Sequence, residues 1–353
     1  MNRKARTLLM ICCLICLTGL AGNSLAEKPS GRYSEGIYTL CDVRYDNRSF
    51  YLSEGDKIAV IAPSKLASRE KIASIVQGLK SWGYEPVEGK HVSDEGRTLD
   101  DCLEDLIWAL EDPEIRAIFC ACGGYGASEV MDMIGTDLIS SSNKIIIGYS
   151  DITVFHSAWT VAGLPSIHGA MSEAFTGGLQ QTWIETEKNI LRGKIPTYTC
   201  QNDLWYKKGM AEGILIGGNL STFISVLNTD YDCTRSEQPY ILFLEEVGES
   251  IQHIHRYLTV LDHMGILDQA AGIVFGEWTN MPSIWESGYD GSSRGGGFES
   301  VADMIMKEFF SERDIPVAFG FPAGHGEENY PLLMGRKARL TVGDHHFTLE
   351  WIQ

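Results

Sequence analysis

The sequence predicts an α/β protein with a doubly wound parallel sheet in its N-terminal half and a more strand-rich C-terminal half. In the N-terminal half, short apolar runs alternate with amphipathic helical patterns, as in a parallel sheet with crossover helices. In the C-terminal half, apolar runs follow one another more closely, and the chain ends in a predicted hairpin. A chain of 353 residues is long enough for two domains that each bury a core.

The N-terminal elements begin with "DKIAVIAPS" (56–64), an apolar run that ends in Pro and Ser, as a buried parallel strand does. A helical pattern follows, which opens at Ser68 and closes at Gly83. The other strands predicted in this half are "YEPVEG", "IRAIFCACGG", "NKIIIGYS" and "LPSIHGAM". The other helices are "TLDDCLEDLIWALEDP", "ASEVMDMI" and "DITVFHSAWTVAG". Ligands bind at the carboxyl ends of the strands in such a sheet, where "GGYG" and "GYSD" fall.

The C-terminal elements follow "GKIPTYTCQND", which we expect to be part of a linker. The predicted strands are "MAEGILI", "YILFLEEVGES", "AAGIVFGEW", "IPVAFGF" and the hairpin "KARLTVGDHHFTLEW" with its turn near Gly343. The predicted helices are "NLSTFISVL", "IQHIHRYLTVLDHMGIL" and "FESVADMIMKEFFSE". We therefore predict an N-terminal domain over 52–192, a linker over 193–205 and a C-terminal domain over 206–353.

Residues 1–26 have the pattern of a secretory signal peptide. The basic start "NRKAR" precedes the apolar run "TLLMICCLICLTGLAG", and the small residues Ser24 and Ala26 mark a cleavage site. The alternative is an uncleaved membrane anchor, but the 16 residues of this run fall short of the roughly 20 that span a bilayer. We expect cleavage after Ala26, export to the periplasm or the medium, and no stable membrane insertion of the mature chain.

The acidic balance of the chain argues against nucleic acid as a partner. The net charge is −18, and loss of residues 1–26 removes three cations and no acids, which leaves −21. Such a surface repels nucleic acid, and the sequence contains no basic stripe. A peptide or another small polar ligand is the better expectation.

The cysteines indicate neither a disulfide framework nor a metal site. Six remain once residues 1–26 are removed: Cys41, Cys102, Cys120, Cys122, Cys200 and Cys233. An even count in an exported protein permits disulfides, but these spacings match no small framework. Cys120 and Cys122 share one face of a predicted buried strand, where we expect packed thiols. No Cys/His cluster has the spacing of a zinc site, so we predict no metal.

Ser150 lies in the sharp turn "GYSD" between a predicted strand and a predicted helix. Such a turn thrusts the side chain out above the sheet with helix N–H groups behind it, which is the geometry of a nucleophile elbow. Gly148 lacks the Cβ that would clash there, whereas Ile152 stands where the hydrolase pattern G-x-S-x-G has Gly. Ser150 or Asp151 could equally cap the helix, and we expect Asp151 to do so. The local pattern leaves Ser150 as either a cap or a nucleophile.

The glycines of "ACGGYGAS" (121–128) follow the neighbouring predicted strand. Gly123 and Gly124 let the backbone approach a ligand closely, which suits a donor to an oxyanion. The segment lacks G-K-[ST] and G-x-G-x-x-G, so neither a phosphate loop nor a dinucleotide loop is indicated. A turn that merely requires positive φ is the alternative.

His325 is the histidine best placed to act as a base. It lies between glycines in "PAGHGEEN", just beyond an apolar strand, where a scaffold holds a side chain that can still move. Glu245 and Glu246 end the run "YILFLEE", and one of them could point inward to orient an imidazole. A solvated strand end is the alternative for both acids.

Six short motifs follow one another from about Asp56 to the C-terminus. They are "IAPS", "GGYGAS", "IIGYSDIT", "GILIGGNLS", "LFLEEVGE" with "IHRYLTVL", and "FGFPAGHGEENYPLLMG". Together they resemble the LD-carboxypeptidase family, the serine peptidase group that also holds the microcin C immunity hydrolases. The resemblance implies a Rossmann/flavodoxin-like parallel sheet domain, a smaller strand-rich C-terminal α/β domain, a site between them and a homodimer.

The resemblance also implies a Ser-His-Glu triad. The nucleophile falls on Ser150, the acid on Glu245 and the base on His325. The family's oxyanion hole uses backbone N–H groups of the Gly-Gly turn and of the residue after the nucleophile. These are Gly124, with Gly123 beside it, and Asp151. No metal or cofactor is implied.

The implied activity is that of an exported serine carboxypeptidase acting on muropeptides of the cell wall. It would release terminal D-alanine from a tetrapeptide at the bond after an L-centre, on lysine or diaminopimelate. Cys122 departs from the family, since many members carry Arg before Gly-Gly, which leaves open how a substrate carboxylate is held. One alternative is hydrolysis of peptidyl-aminoacyl nucleotides, with Trp205 or Trp285 stacked on the base; export counts against it. A second is a non-catalytic module that binds a muropeptide, against which the intact triad motifs argue.

Overall fold

The computed structural model describes residues 39–45, 50–176, 182–202, 205–281 and 298–352. The predicted signal peptide and the Gly/Ser-rich segment 282–297 lie outside these residues. The described strands are β1 (Thr39–Tyr45), β2 (Lys57–Ile61), β3 (Glu85–Glu88), β4 (Ile115–Cys120), β5 (Ile145–Gly148), β6 (Ser166–His168), β7 (Lys194–Gln201), β8 (Gly209–Asn219), β9 (Tyr240–Val247), β10 (Ala270–Thr279), β11 (Val317–Phe319), β12 (Leu332–Met334), β13 (Lys337–Val342) and β14 (His346–Trp351). The described α-helices are α1 (Arg69–Ser81), α2 (Leu99–Glu111), α3 (Ala127–Met131), α4 (Thr136–Ser142), α5 (Thr153–Val161), α6 (Glu173–Thr176), α7 (Thr182–Leu191), α8 (Leu220–Val226), α9 (Ile251–His263), α10 (Ile266–Gln269) and α11 (Phe298–Ile305).

Six of the described strands form one sheet in the order β12-β6-β5-β4-β2-β3. Neighbouring strands run parallel, except that β12 pairs antiparallel with β6. Alternate residues of β2 enter two different apolar clusters: Ile58 and Val60 pack with Ile72 of α1, while Ala59 and Ile61 pack with residues of α2. Helices therefore cover both faces, which explains why the strand is apolar throughout. The predicted doubly wound parallel sheet is confirmed.

Eight of the described strands form a second sheet in the order β1-β7-β14-β13-β8-β9-β10-β11. The segment from β8 to β11 is parallel, and the remaining pairs are antiparallel. The predicted terminal hairpin is β13 and β14, closed by a hydrogen bond from Gly343 N to His346 O of 2.9 Å. Because β9, β10 and β11 are parallel neighbours, their carboxyl ends lie at one edge of the sheet.

Sheet membership departs from the predicted domain limits in two places. The segment expected to be a linker contains β7, which pairs with β1 on one side and β14 on the other. In addition, β12 comes from the C-terminal part of the chain but completes the first sheet beside β6. Strands β7 and β12 thus connect the two halves, which are not joined only by a linker.

Helix α5 links the two sheets. The backbone N–H of Asn219, at the end of β8, donates to Thr153 Oγ1 over 2.9 Å. A Cβ at Gly218 would lie 2.4 Å from the same Thr153 oxygen, so only glycine permits this approach. Ser157 of α5 also donates its hydroxyl to the Tyr231 carbonyl at 2.6 Å. These contacts bring the carboxyl ends of β5 and β8 together.

Within the described ranges, no helix is both long and apolar enough to cross a bilayer. The cysteines with described side chains are free thiols: Cys102, Cys120, Cys122, Cys200 and Cys233. Cys120 is buried at the end of β4, as expected of a packed thiol. Cys122 lies beyond the strand, and its Sγ donates to the Lys65 carbonyl at 2.8 Å.

Candidate active site

Ser150 occupies a strained turn between β5 and α5. Its φ is +64°, in the left-handed region that costs a non-glycine residue about 1–2 kcal/mol. A single 3₁₀ turn over Ser150–Ile152 leads from it into α5, and Ser150 makes no side-chain cap. The serine is therefore held in the conformation of a nucleophile elbow, as the sequence pattern allowed.

Gly148 and His156 support this turn from below. A Cβ at Gly148 would lie 2.9 Å from Ile152 Cγ1, and its φ of +153° is itself unfavourable for other residues. The buried imidazole of His156 joins the Gly148 carbonyl through Nε2 at 3.0 Å and Ser166 Oγ through Nδ1 at 2.8 Å. Burial lowers the pKa of His156 to about 4, so the ring is neutral and can both donate and accept.

The two glycines of the predicted oxyanion turn have different neighbours. A Cβ at Gly123 would lie 2.8 Å from Ser150 Cβ, 3.1 Å from Ser150 Oγ and 3.3 Å from Asp151 N. Gly124 has φ +135°, and its Cβ would lie 2.4 Å from Lys65 Cβ. Gly123 is thus the glycine that packs against Ser150, whereas Gly124 faces Lys65.

Asp151 connects the two turns instead of capping its own helix. Its Oδ2 accepts a hydrogen bond of 3.0 Å from Ala127 N, at the first residue of α3. That helix begins after Gly126, which has no side chain to cap it. The sequence predicted the capping residue type but assigned it to the wrong helix, because Asp151 and Ala127 meet only through the pairing of β4 and β5.

Glu245 and His325 form a buried pair contributed by the second sheet. Glu245 Oε2 lies 2.8 Å from His325 Nδ1, and the Glu245 side chain is fully buried. Gly324 makes room for this contact: a Cβ there would lie 2.7 Å from Glu245 Oε2, and its φ is +134°. Burial lowers the pKa of His325, but the hydrogen bond and charge of Glu245, together with the charges of Glu246 and Glu173, more than reverse this, so the pKa lies above 6.5.

Glu246 faces a different set of groups, which resolves the choice between the two acids. Its carboxylate accepts from Asn219 Nδ2 at 2.9 Å, from Ser221 N at 2.7 Å and from Val247 N at 2.8 Å. It is thereby committed to the N-terminus of α8. Successive residues of a strand point to opposite faces, so only Glu245 can reach the imidazole.

Tyr149 brings the pair from the second sheet to the serine turn of the first. Its ring centroid lies 4.8 Å from that of His325, and Tyr149 directly precedes Ser150. The Nδ1 atom of His325 is engaged by Glu245, which leaves Nε2 as the ring nitrogen available to a neighbour. The structure therefore places the Glu245–His325 pair against the residue that precedes Ser150, at a junction between the two sheets.

The sequence pattern did not single out Glu277, on β10 beneath the His325 loop. A Cβ at Gly326 would lie 1.3 Å from Glu277 Oε2, so the carboxyl packs directly under that glycine. Its Oε2 is buried without a hydrogen-bond partner. Burial, together with the charges of Glu328, Glu245 and Glu327, raises the pKa of Glu277 to about 7. The only local signal was an acid inside the apolar run "AAGIVFGEW".

A group that could hold a metal ion occurs elsewhere in the described part of the chain. His91, Asp101 and Glu104 offer ligand atoms within 4.8 Å of one another. None of these residues contacts the junction of Ser150 and His325 through a described hydrogen bond.

A serine at a strand-to-helix elbow, beside a buried Glu–His pair from a second sheet, defines the class of serine-type hydrolases. Two family models narrow this class. The model described as the LD-carboxypeptidase N-terminal domain matches residues 58–169, and that described as the LD-carboxypeptidase C-terminal domain matches residues 212–340. The chain belongs to the LD-carboxypeptidase family and is a serine-type carboxypeptidase.

Similar proteins agree with this assignment. The chain is 29% identical to the probable murein peptide carboxypeptidase of Bacillus subtilis, over 85% of this chain and 93% of that one. It is 28% identical to the murein tetrapeptide carboxypeptidase of Pseudomonas aeruginosa, over 80% and 92% respectively. The crystal structure of muramoyltetrapeptide carboxypeptidase from Oxalobacter formigenes shares the fold, with a TM-score of 0.73, 24% identity and coverage of 84% of this chain and 99% of that one. The microcin C7 self-immunity protein MccF of Escherichia coli is 22% identical over 84% and 94%.

Proposed function

We propose that this protein is an exported LD-carboxypeptidase that removes terminal D-alanine from murein tetrapeptides through Ser150, His325 and Glu245. The observation that carries the proposal is the contact of Glu245 with His325. The His325 ring also packs against Tyr149, which directly precedes the strained Ser150. The names of the Bacillus subtilis and Pseudomonas aeruginosa relatives support murein peptides as the substrate class.

In the acylation step, His325 Nε2 takes the proton of Ser150 Oγ as the oxygen attacks the amide carbonyl carbon. Glu245 holds the proton on Nδ1, so that Nε2 is the basic nitrogen, and stabilises the imidazolium that forms. The carbonyl π electrons move to oxygen, and the N–H groups of Gly124, Gly123 and Asp151 stabilise that oxyanion. Collapse breaks the C–N bond, and His325 gives its proton to the departing amine of D-alanine.

In the deacylation step, His325 removes a proton from water as the water attacks the ester carbonyl of the acyl-enzyme. A second oxyanion forms at the same donors. Its collapse breaks the bond to Ser150 Oγ, and His325 returns the proton to that oxygen. The products are the shortened peptide with a new carboxylate, free D-alanine and the starting enzyme.

The test is incubation of the protein lacking residues 1–26 with a disaccharide tetrapeptide, followed by mass spectrometry. We expect a tripeptide product and free alanine from the wild type and neither from Ser150→Ala. Absence of a tripeptide with a correctly folded wild type would refute the carboxypeptidase proposal. Equal cleavage by Ser150→Ala would refute the assignment of the nucleophile. The same sample in light scattering tests the expected homodimer.

Export is tested separately, because residues 1–26 lie outside the described part of the chain. N-terminal sequencing of the protein recovered after expression from the full gene should begin at Glu27, outside the cytoplasm. An intact N-terminus at Met1 in the cytoplasm would contradict export. In that case a cytoplasmic substrate would have to be considered.

Hydrolysis of a peptidyl-aminoacyl nucleotide is the alternative activity. The structure argues against one of the two tryptophans that could stack on the base. Trp205, a candidate for stacking on the base, packs against the main apolar cluster. Trp285, the other candidate, lies outside the described residues. Incubation with a microcin-type nucleotide conjugate, beside the tetrapeptide, distinguishes the two activities by which substrate is consumed.

A further inference from the structure

We propose that the ammonium group of Lys65 binds the free C-terminal carboxylate of the substrate and so sets the preference for a chain end. The inference rests on the proposed function, since it concerns how the enzyme distinguishes a terminal residue from an internal one. The residue released by Ser150 carries its carboxylate two bonds beyond the scissile nitrogen. A cation that binds this group must therefore lie close to the scissile bond, and the turn proposed to donate to the oxyanion is one such place.

Two hydrogen bonds fix the backbone of Lys65 to that turn. Lys65 N donates to the Gly123 carbonyl at 3.3 Å, and the Lys65 carbonyl accepts from Cys122 Sγ at 2.8 Å. The missing Cβ of Gly124 would lie 2.4 Å from Lys65 Cβ. The start of the lysine side chain is thus held against the glycine turn, while the residue as a whole is exposed. A flexible four-carbon stem then lets the ammonium reach a ligand at this turn.

The ammonium group of Lys65, like that of Lys71, makes no described hydrogen bond or ion pair. The charges of Arg97, Lys71 and Lys65 all act on the Cys122 thiol, so three cations lie near it. The guanidinium of Arg97 is already occupied, because it donates hydrogen bonds to the backbone carbonyls of Ala62 and Ser64. Lys71 belongs to the first turn of α1 and is not attached to the glycine turn. In the described part of the chain Lys65 has no ion pair, so its charge is available to a substrate.

Acidic groups on the other side of the junction disfavour a carboxylate there. The charges of Glu245 and Glu246 act on His325, whereas the charge of Glu173 acts on both His325 and the Cys122 thiol. Glu327 and Glu328 follow in the same loop, and the chain as a whole carries a net charge of −18. A substrate carboxylate is repelled by this acidic side and attracted to Lys65, which orients the peptide across the site.

The test compares a tetrapeptide that ends in a free carboxylate with the same peptide as its C-terminal amide. For the free acid, Lys65→Gln should raise KM by about 10- to 100-fold with little change in kcat, because a hydrogen bond to a charged group is lost. For the amide, the variant and the wild type should have similar kcat/KM. Lys65→Arg should restore much of the preference for the acid, and high salt should raise the wild-type KM for the acid alone.

Lys71→Gln is the matched control, since it removes the same charge from the same neighbourhood without touching the glycine turn. It should keep the acid-to-amide preference of the wild type. If Lys65→Gln keeps that preference as well, Lys65 does not bind the carboxylate and the inference is wrong. If the folded wild type cleaves neither peptide, the proposed function itself is wrong, so the two failures are distinguishable.

Discussion

Glu245 Oε2 and His325 Nδ1 lie 2.8 Å apart although 80 residues separate them in the chain. The contact follows from the parallel arrangement of β9, β10 and β11. Glu245 lies near the carboxyl end of β9, and His325 lies in the loop beyond β11, at the same edge of the sheet. A parallel sheet therefore brings distant strand ends together without any local sequence signal for the pairing.

Replacement of Glu245 tests the role of this contact. We expect Glu245→Gln to lower kcat by about 10⁴-fold, because the amide fixes neither the Nδ1 tautomer nor the imidazolium charge. Steady-state kinetics on the tetrapeptide measure this effect. Glu246→Gln is the control, since Glu246 accepts its hydrogen bonds from Asn219, Ser221 and Val247. It should lower stability more than kcat, and equal losses of kcat in both variants would contradict the assignment.

Under the proposed mechanism, the pH dependence of kcat/KM reports the protonation of His325. Its pKa lies above the ordinary 6.5, since the hydrogen bond and charge of Glu245, with the charges of Glu246 and Glu173, outweigh the effect of burial. A general base must be neutral, so activity should rise with pH through a midpoint above 6.5. In Glu245→Gln the residual activity should show its midpoint at lower pH, because the stabilising charge is gone and burial remains. A wild-type midpoint below 6.5 would contradict the inferred balance.

The strain at Ser150 predicts a difference between two inactive variants. Glycine adopts a φ of +64° without penalty, whereas alanine does not. We expect Ser150→Gly to be more stable than Ser150→Ala by about 1 kcal/mol, measured by urea unfolding. Both variants should be inactive, which separates conformational strain from catalysis. Equal stability of the two would show that the turn is not strained in solution.

The sequence predicted the local motifs around Ser150 and His325 more completely than it predicted the order and membership of the strands. Ser150 and His325 stand in short motifs whose glycines leave few alternatives for the local backbone. By contrast, β7 escaped prediction because Pro196 and four polar residues leave it no continuous apolar run, although Ile195, Tyr198 and Cys200 are buried. The three residues of β12 are too few for any periodicity, so their place beside β6 is decided by tertiary packing alone.

Local residue patterns did not decide pairwise side-chain choices for a related reason, although the family resemblance implied Glu245. Glu245 and Glu246 are adjacent and chemically equal, and only the register of β9 against β8 decides which one faces His325. The partner of Asp151 at Ala127 likewise depends on the neighbouring strand. Local patterns predict elements and turns, whereas the identity of contacting residues depends on how the strands are ordered.

The close approach of Gly123 to Ser150 predicts a selective loss of activity. Gly123 does not have a positive φ, so alanine fits its backbone, but the added Cβ would lie 2.8 Å from Ser150 Cβ. We expect Gly123→Ala to lower kcat by about 100-fold, because the nucleophile is displaced from its donors. Gly135→Ala is the control, since a Cβ at Gly135 meets nothing within 4 Å. Full activity of Gly123→Ala would contradict this packing.

Glu277 predicts a pH-dependent stability that is separate from catalysis. Burial and the charges of Glu328, Glu245 and Glu327 raise its pKa from 4.5 to about 7. Between these values the folded protein holds the proton and the unfolded chain does not, so this group makes stability fall as pH rises from about 4.5 to about 7.

Glu277→Gln stays neutral and can still accept from the Gly326 N–H. Its gain in unfolding free energy over the wild type should therefore be small at pH 5 and larger at pH 8. Urea unfolding at both pH values measures this, with the exposed Glu88→Gln as control; an equal difference at both would contradict the raised pKa.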